Sequence, residues 1–178
     1  MGLFNRNISV EVEEEEEGIL LLKGLLADRR SGEDLHVIEV KMRVVVLDGT
    51  ILQIDASMPS VPMEECVEAL KVVKDLEGVA IRPGFSDAVK HIVGSKWGCT
   101  HMASLIMNMG NVSVQGRAAY VRKNMGEQQA SRRMADYTEE LGLFDSCVCW
   151  REDGPVVRRW RAQQEEAIKA AESGSEQT

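Results

Sequence analysis

The chain has 178 residues, of which 44% are hydrophobic and only 4% aromatic, and this composition suits one globular domain with an aliphatic core. Its 21 Lys and Arg against 29 Asp and Glu give a formal net charge of −8. This charge argues against nucleic acid or an anionic membrane as a partner, because both are bound through basic surface.

The sequence contains no run of about 18 apolar residues, and its first residues lack the apolar region of a signal peptide. We therefore expect a cytoplasmic protein whose four cysteines are reduced, metal-binding or reactive rather than disulfide-bonded. One domain is expected over residues 1–160, with a polar helical or disordered tail over residues 161–178.

The first 58 residues are predicted to form an antiparallel sheet. A short strand is expected at residues 8–12, and the acidic run at 13–17 is expected to be a turn or a solvated strand end. A second strand is predicted over residues 18–27, which are apolar, and a turn is expected at residues 28–32.

The clearest alternation of apolar and polar residues begins at His36 and ends at Val46. Asp48-Gly49 is typical of a tight hairpin turn, and residues 50–58 are predicted to return as the next strand. The parity of His36 places it on the apolar face of its strand, towards the helices that cover the sheet. An ordinary strand-end histidine with a backbone partner is the alternative interpretation.

Helices are predicted after the sheet. Pro62 at a first helical position starts a helix that runs to about Leu76 and carries Cys66 on or near its buried stripe. A shorter helix is expected at residues 86–93, and a third begins after Gly98 and runs past Met109. The fold class is thus α+β, an antiparallel meander of three to four strands covered on one face by several helices.

The region 111–141 is expected to be mostly helical, with Gly110, Gly116, Gly126 and Gly142 as breaks or bends. Residues 147–157 are predicted to form a small hairpin, in which Cys147 and Cys149 point the same way. Two thiols on one side of a strand can bind a metal ion as thiolates. Packing on an aliphatic strand face is the commoner reason for such a pair.

Basic residues are concentrated near the end of the third helix and beyond it. Most are expected to lie on a solvated helix face, and the set is our candidate surface for an acidic protein partner. Its members are Arg117, Arg122, Lys123, Arg132 and Arg133.

The segment around Cys99 combines soft metal ligands with a helix start. Cys99 is predicted in the first turn, where unpaired backbone N–H groups favour a thiolate and make it more reactive than Cys147 or Cys149. A thiolate and the neutral imidazole of His101 are a metal-ligand pair. The alternative is that Cys99 is a small buried hydrophobe and His101 an ordinary histidine. Residues two apart on a helix do not face each other, which argues against a direct catalytic pair of these two side chains.

A family resemblance rests on a series of short motifs. They are Ile54-x-Ala56-x-Met58, Cys66, Leu76-x-Gly78-x-x-Ile81-x-x-Gly84-Phe85 and Gly98-Cys99-Thr100-His101-Met102. The chain resembles the bacterial family known as domain of unknown function twenty-eight eighty-nine, over residues of about 18–109. The Gly-Cys-Thr-His element is specific, and the resemblance implies no activity.

A weaker likeness is to iron–sulfur scaffold and sulfur-acceptor proteins of the NifU amino-terminal and SufE kind. These proteins also have a three-stranded meander followed by a cysteine near a helix start. The likeness implies that Cys66 matches the helix-start cysteine of the scaffold and that Cys99 and His101 match its later His-Cys pair. The first cysteine of the scaffold has no counterpart here, with only His36 nearby.

Taken together, His36, Cys66, Cys99 and His101 have the composition of a two-thiolate, two-imidazole site that suits zinc or iron. The likeness to scaffold proteins implies an iron–sulfur cluster as the alternative. Three functions follow: a metal-binding or sulfur-handling accessory protein, a thiol- or metal-dependent enzyme with Cys99 as nucleophile, and a structural or regulatory module whose cysteines are core. No phosphate-binding loop, Ser-His-Asp set or paired carboxylates stand out.

Overall fold

A computed structural model describes residues 2–126, 133 and 137–175, with side chains as far as residue 166. The chain forms two compact units, Met1–Ala130 and Ser131–Thr178. The single domain predicted over residues 1–160 stays a prediction. No helix in the described part of the chain is long and apolar enough to cross a membrane.

The first unit is built on a four-stranded antiparallel meander, which confirms the predicted fold class. Its strands are β1 (Phe4–Glu16), β2 (Ile19–Arg30), β3 (Glu33–Val45) and β4 (Ile51–Ser60). They neighbour one another in chain order. The turn into β2 contains Gly18 at φ 77°, a backbone conformation that glycine adopts without steric penalty.

Strand β1 is longer than the sequence predicted and includes most of the acidic run. Glu13 pairs with Leu21 across the strands, and Glu14 pairs with Leu20. Because β1 is an edge strand, its carboxylates reach water and cations, as in the ion pair of Glu13 with Lys23 at 2.6 Å. The acidic residues are therefore part of a strand that pairs with β2. On the open edge of the sheet their charge discourages pairing with another chain.

The predicted register of β3 is confirmed. Ile38 and Met42 are fully buried, whereas Glu39 and Lys41 are exposed. His36 has the parity of Ile38 and is only 3% exposed. The strand thus brings an imidazole into the apolar layer.

The helices of the first unit cover the buried face of the sheet. They are the 3₁₀ helix η1 (Glu64–Leu76), the short helix α1 (Phe85–Ile92) and the long helix α2 (Thr100–Asn124). Helix α2 packs on β1, β2 and β3, and η1 packs on β4.

Helix α2 runs through two of the predicted breaks. A Cβ atom at Gly110 would lie 2.5 Å from a ring carbon of Phe85, and one at Gly116 would lie 2.6 Å from a methyl carbon of Val12. These glycines therefore allow close packing on α1 and β1 and do not end the helix, since packing outweighs their low helix propensity.

The second unit contains helix α3 (Pro155–Ser175) and the turns that precede it. The predicted hairpin at residues 147–157 is not confirmed, because residues 147–149 lie in bends and turns and Val156 and Val157 belong to α3. Residues 161–175 of the predicted tail are helical as part of α3, and residues 176–178 lie outside the described part.

Candidate metal centre

Three neighbouring strands place one polar residue each in a single cross-strand row. Arg6 of β1 pairs with Asp28 of β2, and Asp28 pairs with His36 of β3. Asp28 is 2% exposed and His36 is 3% exposed. Directly opposed residues have their Cβ atoms about 4.5–5.5 Å apart, so the sheet itself holds a carboxylate beside an imidazole.

Helix α2 brings a second imidazole to this row. The ring centroid of His101 lies 4.9 Å from that of His36, with the two rings at 79°. His101 Nε2 is 4.0 Å from Asp28 Oδ2, and the His101 side chain is 40% exposed. One ligand atom from each of Asp28, His36 and His101 lies within 4.8 Å of the other two. Three donors at this spacing need only modest rotations to share one ion.

His36 has no hydrogen-bond partner on either ring nitrogen among the described residues. The pKa of His36 is lowered, first because burial disfavours the charged ring and then because His101 lies beside it. A neutral imidazole is the form that binds metal ions. The fold thus keeps His36 in the ligand form and leaves its lone pair unused.

Asp28 is held as a carboxylate by Arg6. Arg6 Nε donates to Asp28 Oδ1 at 2.6 Å, and Nη2 donates to Oδ2 at 2.7 Å. This hydrogen-bonded pair lowers the pKa of Asp28 despite the opposing effect of burial. The carboxylate therefore stays ionised next to two imidazoles.

Sequence reasoning missed Asp28 and Arg6. Asp28 follows Leu22 and Leu26 with the parity of the buried face of β2. The alternation carries this signal, but Asp28-Arg29-Arg30 has the composition of a turn, and the sequence therefore predicts a turn there. Asp28 lies on the buried face because β2 continues to Arg30.

Cys99 is predicted in the first turn of α2 but lies one residue before this helix, because α2 begins at Thr100. It is the N-cap residue with extended backbone, at φ −136° and ψ 123°, and it is half-buried. Its Sγ lies 3.8 Å from His101 Nδ1. The objection that residues two apart on a helix do not meet does not apply here, because Cys99 has non-helical dihedral angles.

Cys66 is half-buried on η1 and is not in the group formed by Asp28, His36 and His101. The structure therefore brings together His36 and His101 of the predicted set and adds Asp28, while Cys99 contacts His101 but is not a member of the group. The role of Cys66 as a ligand stays a prediction.

The basic residues proposed for an acidic partner have different environments. Arg117 is 1% exposed and donates to backbone carbonyl groups, so it is not on an accessible surface. Arg122 and Lys123 are exposed on α2. Arg133 of the second unit is in an ion pair, and Arg132 lies outside the described residues. Binding of an acidic protein stays a prediction.

The fold and the site define an α+β protein with a candidate histidine and carboxylate centre. Residues 4–115 match the family described as Protein of unknown function (DUF2889). This match covers well over half of the chain, so the chain belongs to that family. No curated protein and no solved structure matches it. The likeness to NifU and SufE proteins is unconfirmed.

Proposed function

We propose that this protein binds a zinc or iron ion through His36, His101 and Asp28, with Cys99 as a fourth candidate ligand. The observation that carries this proposal is the buried ring of His36, which has no hydrogen-bond partner on either nitrogen within the part of the chain that the structure describes. A buried polar group left without a partner costs about 1–3 kcal/mol. A metal ion would satisfy one nitrogen of His36 and employ the neighbouring imidazole and carboxylate.

The donor types suit these two metals. Zinc and iron accept imidazole nitrogen, carboxylate oxygen and thiolate sulfur, and zinc binds nitrogen at about 2.0–2.1 Å. The side chain of His101 is 40% exposed, so an ion can reach the otherwise buried group from solvent. Cys99 Sγ lies 3.8 Å from His101 Nδ1, whereas Asp28 faces His101 Nε2, so Cys99 becomes a ligand of the same ion only if the His101 ring reorients.

The guanidinium of Arg6 is compatible with metal binding at Asp28. An ionised carboxylate has about four lone-pair sites, and Arg6 occupies one on each oxygen. The remaining sites are enough for one bond to a metal. In this arrangement Arg6 orients Asp28, in the way that outer hydrogen-bond partners commonly fix metal ligands.

Metal titration of protein purified without oxygen and freed of metal by a chelator tests this proposal. We expect one zinc or ferrous ion per chain, and a loss of affinity of more than about 100-fold in His36→Ala and His101→Ala, since even outer partners are worth about 10–100-fold. His91 is the third histidine of the chain and is exposed on α1, so His91→Ala is the matched control. Unchanged affinity in His36→Ala would overturn the proposal.

A second candidate function is thiol chemistry at Cys99. It is favoured by the series of contacts from Cys99 Sγ to His101 Nδ1 at 3.8 Å and from His101 Nε2 to Asp28 Oδ2 at 4.0 Å. In such a series the imidazole accepts the thiol proton and the carboxylate stabilises the resulting charge. The variants above separate the two functions, because metal binding requires His36 whereas thiol activation requires only His101.

The accessory, sulfur-handling or scaffold-like role expected from the sequence stays a prediction, as does the alternative of a structural module with core cysteines. Absence of bound metal in the wild-type titration, together with equal reactivity of Cys99 in the wild-type and His101→Ala proteins, would favour the structural alternative.

A further inference from the structure

Two exposed cysteines lie in a hydrogen-bonded turn of the second unit. Cys147 and Cys149 are both exposed. The amide of Trp150 donates to the carbonyl oxygen of Cys147 at 3.0 Å, and the amide of Asp145 donates to the carbonyl oxygen of Trp150 at 2.9 Å. The two thiols thus occupy the first and third positions of a turn.

The turn allows the two sulfurs to bond. Cα atoms two residues apart are separated by at most about 7 Å in an extended chain, and a turn brings them closer. Disulfides usually join Cα atoms that are about 4.4–6.8 Å apart. The spacing of the two residues is therefore compatible with a disulfide, and the Cys149 side chain makes a hydrogen bond with the Cys147 thiol.

The surroundings of Cys147 stabilise its thiolate. The pKa of Cys147 is lowered, first by a hydrogen bond from the backbone amide of Trp150 and then by one from the amide of Cys149. The side chains of Ser146 and Cys149 act in the same direction. Low-pKa, accessible thiols are the ones that take part in exchange reactions.

An aromatic cluster anchors this turn to α3. The rings of Phe144, Trp150 and Trp160 lie edge to face, with centroids 5.7–6.4 Å apart. Trp150 is therefore packed, while its neighbour Cys149 points to solvent. The cysteines lie outside residues 4–115, which match the family, so this feature is independent of the candidate metal centre.

We infer that Cys147 and Cys149 form a dithiol that is oxidised reversibly to an intramolecular disulfide by exchange with a disulfide of another molecule. In the first step the Cys147 thiolate attacks one sulfur of that disulfide, whose S–S bond breaks and releases one thiolate. In the second step the Cys149 thiolate attacks the Cys147 sulfur, forms the internal disulfide and releases the second thiolate. The two electrons of the dithiol thus reduce the external disulfide.

Oxidised glutathione is the probe for this inference. The full-length reduced protein is incubated with it in the presence of a metal chelator, and intact mass and peptide mapping give the products. We expect the wild-type protein to lose two hydrogen atoms and to contain a Cys147–Cys149 disulfide that dithiothreitol reverses. Cys149→Ser should instead retain one glutathione on Cys147, because the second step is blocked.

The matched control is the Cys66→Ser, Cys99→Ser protein, which should form the internal disulfide at the wild-type rate. Stable glutathione adducts on both Cys147 and Cys149 of the wild-type protein, with no internal disulfide, would overturn the inference. So would a Cys147→Ser protein that releases glutathione as fast as the wild-type protein.

Discussion

The neutral state of His36 links the candidate centre to stability. In the folded protein the pKa of His36 lies below its ordinary value of 6.5, with burial as the main cause. The titratable and charged groups that face this ring are His101 from α2, Asp28 from β2 and Arg6 from β1. In the unfolded chain the ring titrates near its ordinary pKa, so the two states bind different numbers of protons below that pH.

We predict that the metal-free protein loses stability as the pH falls below about 6.5, because the unfolded state then takes up a proton that the folded state refuses. The contribution of His36 is complete above this pH and decreases towards its folded pKa, with a slope of at most about 1.4 kcal/mol per pH unit. Urea unfolding in a chelator at several pH values measures it. His36→Gln should flatten this part of the profile.

His91→Gln is the control for that profile and should keep the wild-type slope. Equal slopes in the wild-type and His36→Gln proteins would contradict the prediction.

The pKa of Asp28 is also lowered, by Arg6. Its contribution is present above about pH 4 and is lost as the pH falls through the folded pKa, so its loss begins at a lower pH than the loss due to His36.

Sequence patterns indicated the two imidazoles of the candidate centre more readily than its carboxylate. The alternation in β3 predicted the buried position of His36, and the glycine before Cys99 predicted the helix start that carries His101. Asp28 was hidden because the end of β2 has polar composition. Its burial depends on the pairing with Arg6, a contact between residues of different strands that local pattern does not indicate.

The start of α2 depends on Gly98. A Cβ atom at this position would overlap the backbone carbonyl group of Val93, and the same carbonyl oxygen accepts a hydrogen bond from the Cys99 amide at 2.8 Å. The close approach of these two backbone segments thus places the residue that precedes α2. Because His101 is two residues after Cys99, its position depends on the same contact.

We predict that Gly98→Ala destabilises the protein by about 1–3 kcal/mol, the usual cost of added atoms in a packed site, and also weakens metal binding, because Cys99 and His101 move. Chemical unfolding and metal titration of the variant measure the two effects. Gly126→Ala is the control, since a Cβ atom there meets nothing within 4 Å. Equal effects of the two substitutions would show that the Val93 contact is unimportant.

Sequence patterns predicted the number and order of these elements better than their lengths. The meander follows from alternation and from Asp48-Gly49. Pro62 indicates the first of the three helices after it, although this helix begins at Glu64 and not at Pro62 as predicted. Helix α2 extends to Asn124 through Gly110 and Gly116, because those glycines pack against Phe85 and Val12. A glycine that permits close packing and one that ends a helix look alike until the packing partner is known.

The candidate centre joins the sheet to α2, so metal binding should stabilise the fold as a whole. An ion that binds only the folded state, at a free concentration 100 times its Kd, adds about 2.7 kcal/mol to the free energy of unfolding. We predict this gain for zinc with the wild-type protein and with His91→Ala, and its loss in His101→Ala. Urea unfolding with and without zinc measures it. An equal gain in His101→Ala would mean that zinc binds elsewhere.

The strand order determines the order in which the residues of the candidate centre come together during synthesis. Since β1, β2 and β3 are neighbours in chain order, Arg6, Asp28 and His36 belong to successive hairpins, and contacts between segments close in sequence form early. His101 leaves the ribosome long after these strands. The row across the sheet therefore can form while the chain is still being made, and an ion held between the two histidines would be captured only once α2 has been synthesised and has docked.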